Sequence, residues 1–521
     1  MLPTPEQRAD TEQRWIHEHV RQLNWKLERT IDLIGSSVPS DLRLHGRSYL
    51  ALVNESQRYP QLTSTVLEMI ARLHPLPVRW GWGNSWEAQL RFALEHSPAE
   101  NIPLQAEYRC GLADVYLPVG RFDDAVHQAK IVLAMPGVPV VQAARAARTL
   151  FTCFRSTGRH ALADELMDDT RTRFLGYLPV VQVPAESAQA WLIFNQSRLE
   201  QLRELGKIDE GLALVDQMIQ LDQHEGSLNP LLTADLVTHR STLLWNQARY
   251  AESVSDLMNA IDAFQQGGDP FNAESLQSNL GLVYWTMGEL DLAEQTLTRA
   301  IQYYRNTAAD QLVTYDLGNL GLTYFARGNL PEALQLTEEH IAHARRLNFI
   351  SEANRGRRNL GTILVYLGRI EESIAELTAG NIYFQKRGSR YGYQLDFLWL
   401  ARCYQAQGDT QRAISETYKV LAWCDEHKPM VLHQLTLRCL ADFLPLEEQE
   451  PLLMHSLSMA RELNRQLEEA AVLLLLGRAA HDRQFGQQCW QTGVAIMQRQ
   501  GAGAWLDGRS LENPPFYPMF L

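Results

Sequence analysis

The triplet Asn-Leu-Gly stands at 279–281, returns at 319–321 and returns again at 359–361, two steps of 40 residues each. Its surroundings repeat with it. Tyr284 and Tyr324 follow their glycines by three, and Gly288, Gly328 and Gly368 follow by seven. One step further the register lands on Ala401, Tyr404 and Gly408, with Ala in place of Gly. A fixed period in the range of about 20 to 50 residues marks stacked supersecondary units, because one unit cannot bury its own apolar face and must lean on the next.

One unit is readable from 274 to 306. Leu280, Gly281, Tyr284 and Trp285 share helical spacing, the Met-Gly-Glu-Leu run at 287–290 breaks the helix, and Leu292, Ala293, Leu297, Ala300 and Ile301 begin a second apolar stripe. The pattern predicts a helical hairpin. Gly281 and Ala293 are small where two helix backbones pass closely, Tyr284 fills the wedge beside them, and Gly288 ends the first helix. Degenerate copies extend the array in both directions. Ser241, Leu244, Ala248, Leu257 and Ala260 match one step back, and Leu112, Ala113, Tyr116, Gly120 and Ala125 form an early unit. Leu440, Ala441 and Leu444 keep the phase although Pro445 disturbs the turn, and Leu476 with Gly477 opens a last hairpin.

The Leu-Gly-x-x-Tyr segment, the turn glycine, the alanine five residues later and the small Ala300 resemble the tetratricopeptide repeat family. The usual unit of that family is about 34 residues, so a 40-residue step implies longer helices. The resemblance implies an all-α fold, a right-handed α-solenoid of about ten hairpins over residues 101–500. It is similar at this level to the sensor and scaffold solenoids of bacterial signalling regulators. Residues 1–100 are expected to form a helical N-terminal region, a cap or small bundle, from patterns such as Trp15, Ile16, Val20, Leu23 and Leu27. A loop over 73–83 carries Trp80 and Trp82, Pro179 and Pro184 suggest a bend near 176–187, and residues 501–521 form an extended tail with Pro514, Pro515, Phe516, Tyr517 and Pro518. Either that tail docks on the last helices or it serves as a ligand for something else.

Composition narrows the function. The net charge is −13, with no Lys/Arg run, which argues against direct nucleic-acid binding. The longest apolar stretch, 470–476, falls far short of the roughly 20 residues that span a bilayer. The start of the chain lacks the pattern of a secretory signal. Six scattered cysteines without a Cys-x-x-Cys pair read as small buried residues in a reducing cytoplasm. A search for phosphate-binding, dinucleotide, kinase, zinc-protease and nucleophile-elbow motifs returns none, and His17 and His19 point to different helix faces. The expectation is therefore a non-catalytic protein without cofactor or metal.

What remains is the face formed by the first helices of the hairpins. The resemblance implies that this face lines a concave groove. Asn279, Asn319 and Asn359 would stand along it as a ladder of amides, able to give and accept hydrogen bonds with an extended peptide. They would equally serve to bond neighbouring helices. Trp245, Trp285 and Phe325 form an aromatic ladder at the same interval, either gripping a ligand or plugging the space between helices. Arg355 and Arg358, followed by Trp399 and Arg402 in the next unit, make a basic spot that suits an acidic peptide or a C-terminal carboxylate, or else pairs with acids nearby. The partner expected is a protein or peptide segment in signalling or regulation, and self-association is open. The alternative is a peptide-responsive regulator of the quorum-sensing type, whose N-terminal helical effector acts on a response regulator.

Overall fold

A computed structural model describes residues 5–36, 45–74, 76–79, 83–117, 119–157, 159–174, 185–204, 207–224, 230–266, 270–306, 310–386, 392–427 and 429–520. The expected bend falls mostly on 175–184, and Trp80 and Trp82 also lie outside the described residues.

Helices α1 (Pro5–Ser36), α2 (Gly46–Ser56), α3 (Thr63–Leu73), α4 (Leu76–Arg79) and α5 (Gly83–His96) open the chain. Leu23 and Leu27 turn inward against α3, whereas Trp15 and Ile16 face outward. This region shares one core with the first hairpin: Trp86 and Leu90 cluster with Tyr108, Leu112 and Ala113, and Tyr108 Oη donates to the carbonyl of Leu67 at 2.8 Å.

Ten hairpins follow among the described residues. The first five are α6–α7 (Ile102–Tyr116, Phe122–Ala134), α8–α9 (Val140–Ser156, His160–Phe174), α10–α11 (Ala185–Glu204, Ile208–His224), α12–α13 (Pro230–Asn246, Tyr250–Gln266) and α14–α15 (Pro270–Met287, Leu290–Asn306). The second five are α16–α17 (Asp310–Arg327, Leu330–Arg346), α18–α19 (Ile350–Tyr366, Ile370–Lys386), α20–α21 (Gly392–Ala406, Thr410–His427), α22–α23 (Met430–Phe443, Leu446–Glu462) and α24–α25 (Gln466–Ala479, Arg483–Arg499). Each hairpin packs on the next, which makes the chain an all-α solenoid. No strand occurs among the described residues.

The period has a mechanical origin. Gly288, Gly328, Gly368 and Gly408 all take positive φ, between 72° and 90°, the left-handed conformation that lets a helix stop within one residue. In each hairpin of the triplet series the first helix then lies against the second at the triplet glycine. A Cβ on Gly281 would stand 2.8 Å from Leu297 Cγ, and one on Gly361 would stand 2.7 Å from Leu377 Cγ. The sequence pairs Gly281 with Ala293; the residue that fills the space is Leu297, while Ala293 is buried one turn away. Leu292 faces outward, and Leu290 takes the inward position.

The chain curls back on itself. Tyr250 Oη, at the start of α13, donates to the carbonyl of Leu463 at 3.2 Å, and Leu467 of α24 sits against Gly288 at the end of α14. Leu290, Phe325 and Ala326 share a single hydrophobic cluster with Leu467, Leu474 and Met497. After α25 a short 3-10 turn, Gly503–Leu506, leads into residues 514–520, which have no regular secondary structure and are buried throughout. They run across the first-helix face, reaching from α14 to α24, a wider footprint than the last helices alone.

Candidate functional site

The first helices present two zones. Nearer the helix starts the residues are polar, and several of their hydrogen bonds link one hairpin to the next. Asn279 Nδ2 donates to Thr238 Oγ1 at 3.0 Å, and Ser278 Oγ donates to Asp316 Oδ2 at 2.8 Å. Arg355 Nη1 donates to Asn319 Oδ1 at 3.0 Å, and Arg358 Nη2 donates to Asp396 Oδ2 at 3.1 Å. Asn359 is buried, with its amide nitrogen unpartnered. Asn279 and Asn319 are thus engaged between hairpins, one as donor and one as acceptor, whereas the Asn359 amide nitrogen is not.

The guanidinium groups of the expected basic spot face acids of this chain. Arg355 Nε lies 2.6 Å from Glu352 Oε2. Burial pushes the Glu352 carboxyl up, but Arg355 and His340 outweigh it and hold that group below the usual range. Asp396 is raised by burial despite Arg358 beside it. Burial likewise pushes Asp316 up to about 7, the Ser278 hydroxyl and Arg355 offsetting only part of the cost of a charge there.

Toward the turn end the face becomes aromatic, and there the tail is seated. Phe520 packs edge-on against Trp285 and Phe325, with centroids 5.1 and 5.6 Å apart. Phe325 is fully buried and meets Tyr366 and Trp505 as well. Trp245 instead donates through Nε1 to Thr286 Oγ1 at 2.9 Å, bridging α12 to α14. Trp399 is buried beneath Tyr366, at 6.0 Å between rings. The guanidinium of Arg402 lies 3.7 Å above the Phe516 ring while pairing with Asp442. Such a cation over an aromatic face gains electrostatically in a site shielded from water.

The tail backbone is held by side-chain donors. Tyr366 Oη donates to the carbonyl of Phe516 at 3.0 Å. Arg438 donates to the carbonyls of Tyr517 at 2.7 Å and Pro518 at 3.2 Å, and Arg465 donates to that of Phe520 at 2.9 Å. Arg438 is wholly buried and balanced by Glu468, 3.1 Å away. In return, Trp505 Nε1 and Tyr517 Oη both donate to the carbonyl of Ala326. That carbonyl belongs to the last turn of α16, where intrahelical partners run out.

Sequence reasoning missed Tyr366, Arg438 and Arg465. The aromatic ladder slips by one at Val365, which hides Tyr366. Arg438 was within reach, since two 40-residue steps from Arg358 land on it. Arg465 follows a turn residue of positive φ, Asn464, as Arg369 follows Gly368.

Among the described residues, no cluster of three or more His, Cys, Asp or Glu side chains could hold a metal ion, and no helix is long and apolar enough to cross a membrane. All six cysteines are buried free thiols, and burial pushes Cys439 up to about 12.

Family models for the tetratricopeptide repeat match residues 275–307 and 397–422. No curated protein matches the sequence. Among solved structures, the chain is similar to the APC/C hetero-tetramer Cut9-Hcn1, at 13% identity over 94% of this chain and 92% of that one, with a TM-score of 0.48. It is also similar to a Rap protein complexed with competence and sporulation factor, at 12% identity over 70% and 99% of the two chains and a TM-score of 0.46. A third similarity is to the apo form of the quorum sensor NprR from B. thuringiensis, at 13% identity over 69% and 99% and a TM-score of 0.42.

Proposed function

We propose that this chain, a tetratricopeptide-repeat solenoid, is a binding module that holds an extended segment of a partner protein against its first-helix face and serves as a scaffold or sensor in regulation. The observation that supports this reading most directly is the set of Tyr366, Arg438 and Arg465 donors, which engage main-chain carbonyls of an extended segment. Backbone carbonyls are common to every peptide, so donors of this kind supply affinity, while flanking pockets for side chains supply selectivity. The aromatic wall of Trp285, Phe325 and Tyr366 is such a set of pockets.

The test is capture from the native host with full-length protein. Wild type, Trp285→Ser on the groove and Glu338→Lys on the exposed outer face are compared after circular dichroism confirms equal helicity. A partner retained by wild type and Glu338→Lys but lost from Trp285→Ser is the expected result. The same partners in all three samples would refute a role for the groove.

A further inference from the structure

Residues 514–520 lie in the groove as a bound peptide would, and their chemistry specifies what this half of it accepts, given the peptide-binding reading above. Three of these seven residues are prolines, Pro514, Pro515 and Pro518. Proline fixes φ near the extended polyproline value and brings no N–H, so the segment enters stiff and with fewer donors that burial would orphan. The groove answers with hydrogen-bond donors directed at the carbonyls that remain. Phe516, between Pro515 and Pro518, sits under Arg402, and Phe520, after the last proline, enters the aromatic cleft of Trp285 and Phe325. Recognition of this kind selects an aromatic residue, a proline two positions on, and a second aromatic two positions after that.

The attachment of the segment is that of a tethered ligand. The stretch from Asp507 to Asn513 is exposed apart from a half-buried Leu511 and has no regular structure. The segment beyond it is held by side chains from several separate hairpins and, among the described residues, by no backbone ladder. An empty groove would leave Trp285, Tyr366 and Trp505 facing water as a contiguous apolar patch, which a protein tolerates poorly. We infer that this half of the groove is a binding site for a proline–aromatic peptide segment of a partner protein, and that the chain's own C-terminal segment occupies it as an internal ligand which the partner displaces. A tethered competitor acts at an effective concentration on the order of millimolar. The uncut chain therefore responds only to a partner that binds tightly or through more than one contact.

The experiment uses the full chain with a specific protease site inserted in the exposed stretch after Arg509. The probe is a fluorescein-labelled synthetic peptide with the sequence Leu511 to Leu521. After cleavage, native mass spectrometry follows the tail, circular dichroism follows the fold, and fluorescence anisotropy follows the probe. Expected are release of the tail, or its exchange for excess probe, with helicity retained. Saturable probe binding should be roughly tenfold or more tighter to the cut chain than to the uncut one. A probe carrying Ser in place of Phe516 and Phe520 should fail to compete. Loss of the helical fold on tail release, or a cut chain that never takes up the probe, overturns the inference. Groove-dependent partner capture that survives such a result leaves the peptide-binding reading standing; if both fail, both are wrong.

Discussion

At the scale of single residues, the three triplet glycines occupy equivalent positions but face different neighbours. Gly281 and Gly361 abut Leu297 and Leu377, whereas Gly321 abuts Thr337, whose Oγ1 would stand 3.1 Å from an added Cβ. Alanine gains up to about 1 kcal/mol over glycine in a helix interior, while overpacking costs about 1 to 3 kcal/mol. The balance predicts that Gly361→Ala destabilises the chain by about 1 to 2 kcal/mol and that Gly321→Ala is close to neutral, a contrast that chemical denaturation of the two variants would check. Asp316 offers a second measurement. Its folded-state value of about 7 lies above that of an unfolded aspartate, so the folded chain keeps a proton that the unfolded chain gives up. The stability it contributes is fully present below about pH 4 and is lost as pH rises from there to about 7. Asp316→Asn should therefore raise the melting temperature at pH 8 and change it little at pH 4; an equal effect at both would show that the carboxyl is not raised. The glycines were legible because a repeat writes them three times. Asp316 was not, since its state depends on burial beneath neighbouring hairpins.

At the scale of the element, the turn register extends beyond the glycines. Ala248 occupies the position of Gly288 one period earlier and is forced to the same sign of φ, at 55°. A non-glycine residue in that region pays about 1 kcal/mol for the crowding of its Cβ. Ala248→Gly should stabilise the chain by several tenths of a kcal/mol to about 1 kcal/mol. Unchanged or lower stability in urea would mean that the Ala248 methyl, which is buried, contributes more by packing than it costs in strain. The hairpins and their spacing were readable from the sequence because helix, turn and close approach are local events set by neighbours in the chain. The role of the polar ladder was not. Asn279 and Asn319, with Arg355 and Arg358, have the same spacing whether they face a ligand or the next hairpin, and only the structure reveals Thr238 opposite Asn279, Arg355 opposite Asn319 and Asp396 opposite Arg358.

At the scale of the whole molecule, the feature least legible in the sequence is the return of the C-terminal hairpins to the middle of the stack. Periodicity reports nearest neighbours, and the pairing of Leu467 with Gly288 or of Tyr250 with Leu463 leaves no mark at an interval of 40. This return changes the expected mechanics. An open solenoid is quasi-one-dimensional: its stability is a sum over adjacent units, and its terminal units fray independently of the rest. Here the last hairpin, α24–α25, shares a hydrophobic cluster with Leu290 and Phe325 of hairpins far earlier in the chain, so opening either end of that contact exposes apolar surface on both. Leu467 lies at the junction, buried in the first turn of α24, two residues beyond the tail-binding Arg465. Leu467→Ala should cost about 2 to 5 kcal/mol, as large-to-small core changes do. Its diagnostic effect is where the loss appears. Amide hydrogen exchange should rise together in residues 466–499 and 270–306, while 140–156, which has no part in the junction, keeps its protection. Faster exchange confined to 466–499 would mean that the last hairpin frays as a free end, and that the contact with α14 contributes nothing to holding the molecule closed.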